Sequence, residues 1–226
     1  MPTSVVEDYL KAILLREQLQ AADQLVTMGQ IAAALAVAPG TVTAMVKTLE
    51  KGGLLVYEPY SGVRLTAEGR HLALHVLRRH RLIELFLVEV LGLDWSEVHT
   101  EAERLEHVMS DKLIDRIDAL LGYPSTDPHG DPIPDLQGEI QETPVINLTD
   151  CAPGRRFRVA RVSDQDQSFL RFVESHGLKP GSNFAVARRD KVADAVTVHP
   201  DEYPEVTIGG EAAAKLWVEP LGRGDH

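Results

Sequence analysis

The chain has 226 residues, of which 44% are hydrophobic and 25% charged, with a formal net charge of −11. That length admits one large domain or two to three small ones. The single cysteine, Cys151, excludes an internal disulfide framework and a cysteine-rich zinc site. Met1 leads into a polar segment, and no apolar run is long enough to span a bilayer, so a cytoplasmic protein without a membrane partner is expected. The charge is uneven. Residues 1–81 carry nine basic and seven acidic side chains, whereas residues 82–226 carry fourteen and twenty-seven. Only the N-terminal part is suited to approach phosphate.

Val5 to Gln18 has the spacing of an amphipathic helix, with Val6, Leu10, Ile13 and Leu14 on one side. Ser4 and Glu7 fit a capping box at its start. A second short helix is expected from Val26 to Leu35. An Ala-Pro-Gly turn follows, and Thr41 then opens a helix with Val42, Met45, Val46 and Leu49 facing inward, stopped by Gly52-Gly53. LLVYEPYSGVRLTAEG reads as two short strands around a Pro-Tyr-Ser-Gly turn. This order is that of a winged helix-turn-helix. A helix entering a major groove needs small and hydrogen-bonding residues on its outer face. Pro39, Gly40, Thr41, Thr43, Lys47 and Lys51 supply that face, and Arg64 near the hairpin can reach a phosphate. A generic three-helix module for protein contacts is the competing reading, and the wing and the Gly-Gly stop favour DNA.

Two longer helices are expected next, Ala67 to about Leu91 and Ser96 to about Leu121, broken at Gly92-Leu93-Asp94. They concentrate carboxylates and imidazoles. His80 and Glu84 are four apart, as are His99 and Glu103, and Glu103, Glu106 and His107 stand at i, i+3 and i+4 of one helical face. Leu82, Ile83, Leu85, Phe86 and Val88 give the same segment a buried side. Charge beside buried apolar surface is costly unless something neutralises it, and a divalent metal takes these donor types. A solvated helix face explains any one pair equally well. Two clusters about one helix–turn–helix apart favour metal.

Gly122 to Pro144 is rich in proline, glycine and aspartate and reads as a linker or surface loop, with His129 an exposed histidine within it. From Val145 onward short alternating runs (RRFRVARV, NFAVARR, AVTVHP, EVTIGG), one amphipathic helix in SFLRFVESHGLKPGS and a final EAAAKLWVEPL predict a small SH3-like β domain. The fold class is therefore mainly α with a C-terminal β domain. Its divisions are 1–72 for DNA binding, 73–140 for metal binding and dimerisation with the proline-rich linker, and 145–226 for the SH3-like domain.

VEDYLKAI, VAPGTVTAMVKTLEKGGLL, RRHRLIELFL, EVHTEAERLEHVMSD and GDPIP together resemble the diphtheria toxin repressor family of metal-dependent transcriptional regulators, over almost the full length. The resemblance implies a homodimer in which a divalent metal co-repressor favours binding to double-stranded operator DNA, and the paired recognition helices of a dimer make a near-palindrome the expected target. It implies a primary site at Asp8, Glu103, Glu106 and His107, and an ancillary site at His80, Glu84 and His99. In longer members an acidic residue and a glutamine of the SH3-like domain complete the second site. Asp164 and Gln167 have that spacing, with Asp166 a rival for the acid.

Iron-type members of the family carry methionine and cysteine where this chain has Asp8 and Glu103. Two carboxylates there match the manganese-type branch, since hard oxygen donors suit manganese and sulfur favours later first-row metals. The chain departs from that branch at Lys11, where a further glutamate is usual, and in keeping the C-terminal domain. Manganese is the expected metal and iron(II) the alternative. A metal-dependent hydrolase is the competing function class. No Gly-rich phosphate loop, nucleophile elbow or His-Glu-x-x-His run supports an enzyme, and the winged helix argues equally against a metal-storage accessory.

Overall fold

The computed structural model describes residues 3–21, 23–141 and 143–221. The chain divides into two compact units. The first comprises residues 1–80, 105–110 and 134–139; the second comprises 81–104, 111–133 and 140–226.

In the first unit, α1 (Ser4–Gln18), α2 (Met28–Leu35) and α3 (Pro39–Lys51) precede a hairpin of β1 (Leu55–Glu58) and β2 (Gly62–Leu65), and α4 (Ala67–Glu89) begins directly after it. The cap of α1 is Thr3, whose hydroxyl accepts from the Val6 amide, so the Ser4–Glu7 capping box does not form. The true capping box opens α2, where Thr27 and Gln30 satisfy each other's amides. Val26, expected to start that helix, instead forms a bridge with Val63. The third helix begins two residues earlier than expected, with Pro39 at its first position, where the missing N–H costs nothing. Leu10, Ile13 and Leu14 of α1, Val42, Val46 and Leu49 of α3, and Leu55, Val63 and Leu65 of the hairpin close over one apolar core with Leu77 of α4. The inward spacing read from α1 and α3 builds that core.

The second unit holds the rest of α4, then α5 (Val98–Leu105) and α6 (Asp111–Leu120). The single helix expected from Ser96 to Leu121 is thus two helices with a turn at 106–108 between them. Six strands follow: β3 (Ile146–Asn147), β4 (Arg156–Val162), β5 (Asn183–Asp190), β6 (Ala195–Pro200), β7 (Val206–Gly209) and β8 (Leu216–Pro220). They form one antiparallel sheet in the order β3-β8-β4-β5-β6-β7, with register shifts in β4 and β5 that bend it. Helix α7 (Gln167–Ser175) lies between β4 and β5, and the short α8 (Gly210–Ala213) between β7 and β8. Phe157, Val159, Leu170, Val173, Phe184, Val198 and Val218 share a core with Trp95. Cys151 is buried there. Its thiol lies 3.5 Å from the Asn147 carbonyl, and burial, with Asp150 nearby, pushes it up to about 11. Among the described residues no single helix is long and apolar enough to cross a membrane.

Candidate metal centres

The first centre lies wholly within the first unit. Asp8 and Glu7 are consecutive on α1, and Glu106 and His107 sit on the turn after α5. One donor atom each from Asp8, Glu106 and His107 falls within 4.8 Å of the others. His107 Nδ1 is 2.7 Å from Glu7 Oε2, while its Nε2 is 2.9 Å from Asp8 Oδ1 and 3.4 Å from Glu106 Oε1. Glu7 therefore holds the Nδ1 proton, which turns Nε2 toward the two carboxylates. This is the outer carboxylate that metal-bound histidines usually have. Burial works against the charged imidazole, but Glu7, Glu106 and Asp8 outweigh it, and the His107 pKa is raised. In the metal-free chain the Nε2 proton occupies the place a divalent cation would take.

Glu106 is fully buried and would be costly as an isolated anion. Two groups support it: Lys11 Nζ at 2.5 Å from Oε1, and His80 Nδ1 at 2.6 Å from Oε2. His80, expected at the second site, thus reaches Glu106. Glu103 belongs to the second unit, on α5, where its Oε1 is 3.8 Å from His99 Nε2. The helix expected to carry Glu103, Glu106 and His107 ends at Leu105, so Glu106 and His107 stand on the turn that follows it.

The second centre is built in the second unit from Glu84, expected at the ancillary site, and from two residues the sequence left aside, Asp127 and His129. The 127–131 stretch, DPHGD, is a tight turn. Asp127 Oδ1 accepts from the amides of His129 and Asp131. Gly130, at φ +84°, lies so close to β4 that a Cβ would stand 2.0 Å from the Ala160 carbonyl oxygen. The Val162 amide donates to the His129 carbonyl. His129 is therefore completely buried, stacked on Trp95 at 5.3 Å, and not the exposed loop histidine expected. Its Nε2 lies 3.0 Å from the Trp95 carbonyl, a contact only an N–H can satisfy. The neutral ring then carries its lone pair on Nδ1, which finds no hydrogen-bond partner among the described residues and faces Glu84 Oε2 at 3.9 Å. Burial lowers the His129 pKa and keeps the ring neutral.

Glu84, Asp127 and His129, all buried, bring donor atoms within 4.8 Å of each other. Burial, with Asp131 and Glu84 beside it, drives the Asp127 pKa well above the ordinary carboxylate value. Two crowded buried carboxylates beside an orphaned imidazole nitrogen suit a divalent cation. His99 borders this group, with Nδ1 at 3.2 Å from Glu84 Oε1. Asp164 and Gln167 join no such group among the described residues: Asp164 pairs with Lys215 at 2.6 Å, and Gln167 donates to Glu97. The rival Asp166 caps α7 by accepting from the Phe169 amide. The signal for the second centre was available. Asp-x-His-Gly-Asp has an Asx-turn residue and a glycine on either side of its imidazole.

The expected DNA face is largely open. Pro39, Gly40, Thr41, Lys47 and Lys51 are exposed, and Thr43 is half-buried, donating its hydroxyl to the Pro39 carbonyl. Arg64 is exposed but braced, its Nη2 donating to the Asp23 carbonyl at 2.9 Å.

A winged helix-turn-helix carrying clustered carboxylate and imidazole donors defines a metal-responsive DNA-binding protein. Residues 1–63 match the N-terminal DNA-binding domain of the iron-dependent repressors, residues 66–135 their metal-binding and dimerisation domain, and residues 146–220 the FeoA domain. The chain is 45% identical to the iron-dependent repressor IdeR of Mycobacterium leprae over 194 residues, covering 80% of this chain and 83% of that protein. It is 41% identical to the regulator MntR of Lysinibacillus sphaericus over 117 residues, 52% of this chain and 81% of that one. A solved manganese-dependent transcriptional repressor in complex with manganese superposes with a TM-score of 0.87 at 40% identity, covering 96% of this chain and all of that one. The chain belongs to the diphtheria toxin repressor family of metal-dependent transcriptional repressors.

Proposed function

We propose that this chain is a manganese-responsive repressor that binds near-palindromic operator DNA as a homodimer when its metal centres are filled. The observation that carries the reading is the Asp8–Glu106–His107 cluster with Glu7 behind it. Asp8 is part of the first helix of the DNA-binding module, and Glu106 and His107 come from a turn nearly a hundred residues later. A divalent cation bound there would supply the charge that the carboxylates share with a proton in the metal-free chain. Asp8 and Glu106 bind, Glu7 orients His107, and the turn at 106–108 is tied to α1. Metal can favour DNA only by as much as it prefers the DNA-competent arrangement, so the coupling is reciprocal.

Two carboxylate oxygens and one imidazole, with no sulfur, support manganese over later metals. Similarity to an iron-dependent repressor over most of its length keeps iron(II) as the alternative. The group Glu84, Asp127 and His129, with His99 at its edge, is proposed as a second metal centre. The resemblance alone supports Asp164 and Gln167 as its completion, and Glu103 as a ligand. The dimer is supported by the match to a dimerisation domain and by exposed apolar residues in the second unit, Leu91, Leu113 and Leu120 among them.

The test is an anaerobic operator-binding titration with buffered free manganese and iron(II). Manganese is expected to support binding at least as well as iron(II), and operator DNA to tighten manganese binding by the factor that manganese tightens operator binding. Equal manganese affinity with and without operator overturns the switch. An iron(II) midpoint well below that of manganese overturns the choice of metal.

A further inference from the structure

The tip of the wing holds a side chain in a conformation it would not choose. The Ser61 amide donates to the Glu58 carbonyl at 3.0 Å, closing a four-residue turn with Pro59 in second place and Tyr60 in third. Tyr60 has φ +67°. That is a type II turn, whose third position calls for glycine or asparagine, and a bulky residue there is disfavoured by its own Cβ. No packing among the described residues offsets this, because Tyr60 is exposed at 107% of its reference surface. The hairpin beneath it is firmly placed. Val26 and Val63 exchange both backbone hydrogen bonds, and Gly62 lies so close that a Cβ would stand 2.6 Å from the Val26 carbonyl oxygen. The aromatic ring is thus held out from a rigid mount. Strained residues of this kind cluster at functional sites.

The other wing groups narrow what that is. Arg64 is tied back to the Asp23 carbonyl, and the strand end beside the tip carries the acid Glu58. The tip offers no cation, so a contact made by it is not driven by charge.

We propose that Tyr60 is a DNA-contacting residue of the wing, its ring packed on a deoxyribose and its hydroxyl donating to a backbone phosphate. This rests on the DNA-binding reading given above. A tyrosine hydroxyl on phosphate positions the protein without reading sequence, so its loss weakens binding alike on different duplexes. Because no counterion-releasing charge is involved, the salt dependence is untouched.

The experiment compares wild type, Tyr60→Gly and Tyr60→Phe, using a duplex selected from a random-sequence pool by manganese-loaded wild-type protein. Tyr60→Gly relieves the left-handed strain. It should melt a few degrees higher without DNA and bind manganese as wild type does. It should nevertheless lose about tenfold or more in duplex affinity, with an unchanged slope of log affinity against log salt. Tyr60→Phe should fall between the two. Duplex binding by Tyr60→Gly within twofold of wild type overturns the proposal, as does a loss that disappears at high salt. If the wild-type protein selects no duplex at all, the DNA-binding reading itself has failed, a result distinct from either of these.

Discussion

The two candidate metal centres are made from similar donors and prepared in opposite ways. The first, at Asp8, Glu106 and His107, is held together in the metal-free chain by other cations: the Lys11 ammonium on Glu106, and the proton that Glu7 and Asp8 draw onto His107. The second, at Glu84, Asp127 and His129, is prepared by burial, with His129 held neutral and Asp127 pushed toward its neutral acid. A ligand set can be kept ready by neutralising its charge or by withholding it. The first kind must displace cations to bind metal; the second must gain charge from a dry interior.

The largest expected effect comes from removing the resident cation of the first centre. Lys11→Met takes the ammonium from the fully buried Glu106 and leaves it facing the His80 and His107 imidazoles, and breaking a buried ion pair from one side costs about 3–5 kcal/mol. Metal-free Lys11→Met should therefore melt far below wild type. It should also bind manganese more tightly, because a competing positive charge has gone, and saturating metal should recover most of the lost stability. A variant equally destabilised with and without metal would show that Lys11 supports packing alone.

The second centre breaks through its backbone. Gly130→Ala must move its turn away from the Ala160 carbonyl and costs on the order of 2–3 kcal/mol. With the turn goes the position of His129, so one bound metal per chain should be lost while the Asp8 centre stays filled. Inductively coupled plasma analysis of the dialysed protein counts the ions, and two retained per chain would show that the turn does not form a centre.

Glu7→Gln sharpens the contrast at a smaller scale. It weakens the grip on the His107 Nδ1 proton, and loss of such an outer partner typically lowers metal affinity about 10–100-fold. The effect should fall on the first centre alone. Unchanged manganese affinity there would reduce Glu7 to a surface neighbour.

The smallest effect is the response to acid, where the two imidazoles oppose each other. The His107 pKa is raised above 6.5, so its contribution to metal-free stability is complete below 6.5 and is lost as pH rises through the raised value. The His129 pKa is lowered below 6.5, so its contribution is present above 6.5 and fades as pH falls toward the lowered value. Imidazole NMR titrations of the metal-free protein should place the His107 midpoint above 6.5 and that of His129 below it. The reverse order would contradict both descriptions.

The difference between the centres also explains what the sequence could show. Asp8, Glu106 and His107 were legible because carboxylate and imidazole recur there among apolar residues, and the family resemblance joins the two distant segments. Glu7 was hidden by reading it as part of a helix cap, a place that Thr3 in fact takes. His129 was hidden because proline and glycine resemble loop composition, and nothing local says that Gly130 will dock on β4 and bury its neighbour. The helix boundary at Leu105 was missed for a related reason. The apolar spacing continues across the 106–108 turn, on which Glu106 meets Lys11 and His80. The winged module was read almost entire, since glycine and proline mark its ends and its apolar residues all face one core.

Cys151, the chain's one cysteine, is buried in the C-terminal core with its thiol held up at about 11. At neutral pH such a group is almost wholly protonated and a poor nucleophile. No thiolate is available there to attack a peroxide or a disulfide, so Cys151 is not suited to sense oxidants as a thiol. A second cysteine placed on the surface of α3 would be the one that a maleimide fluorophore finds. Operator docking could then be followed optically in a chain that still keeps its native Cys151.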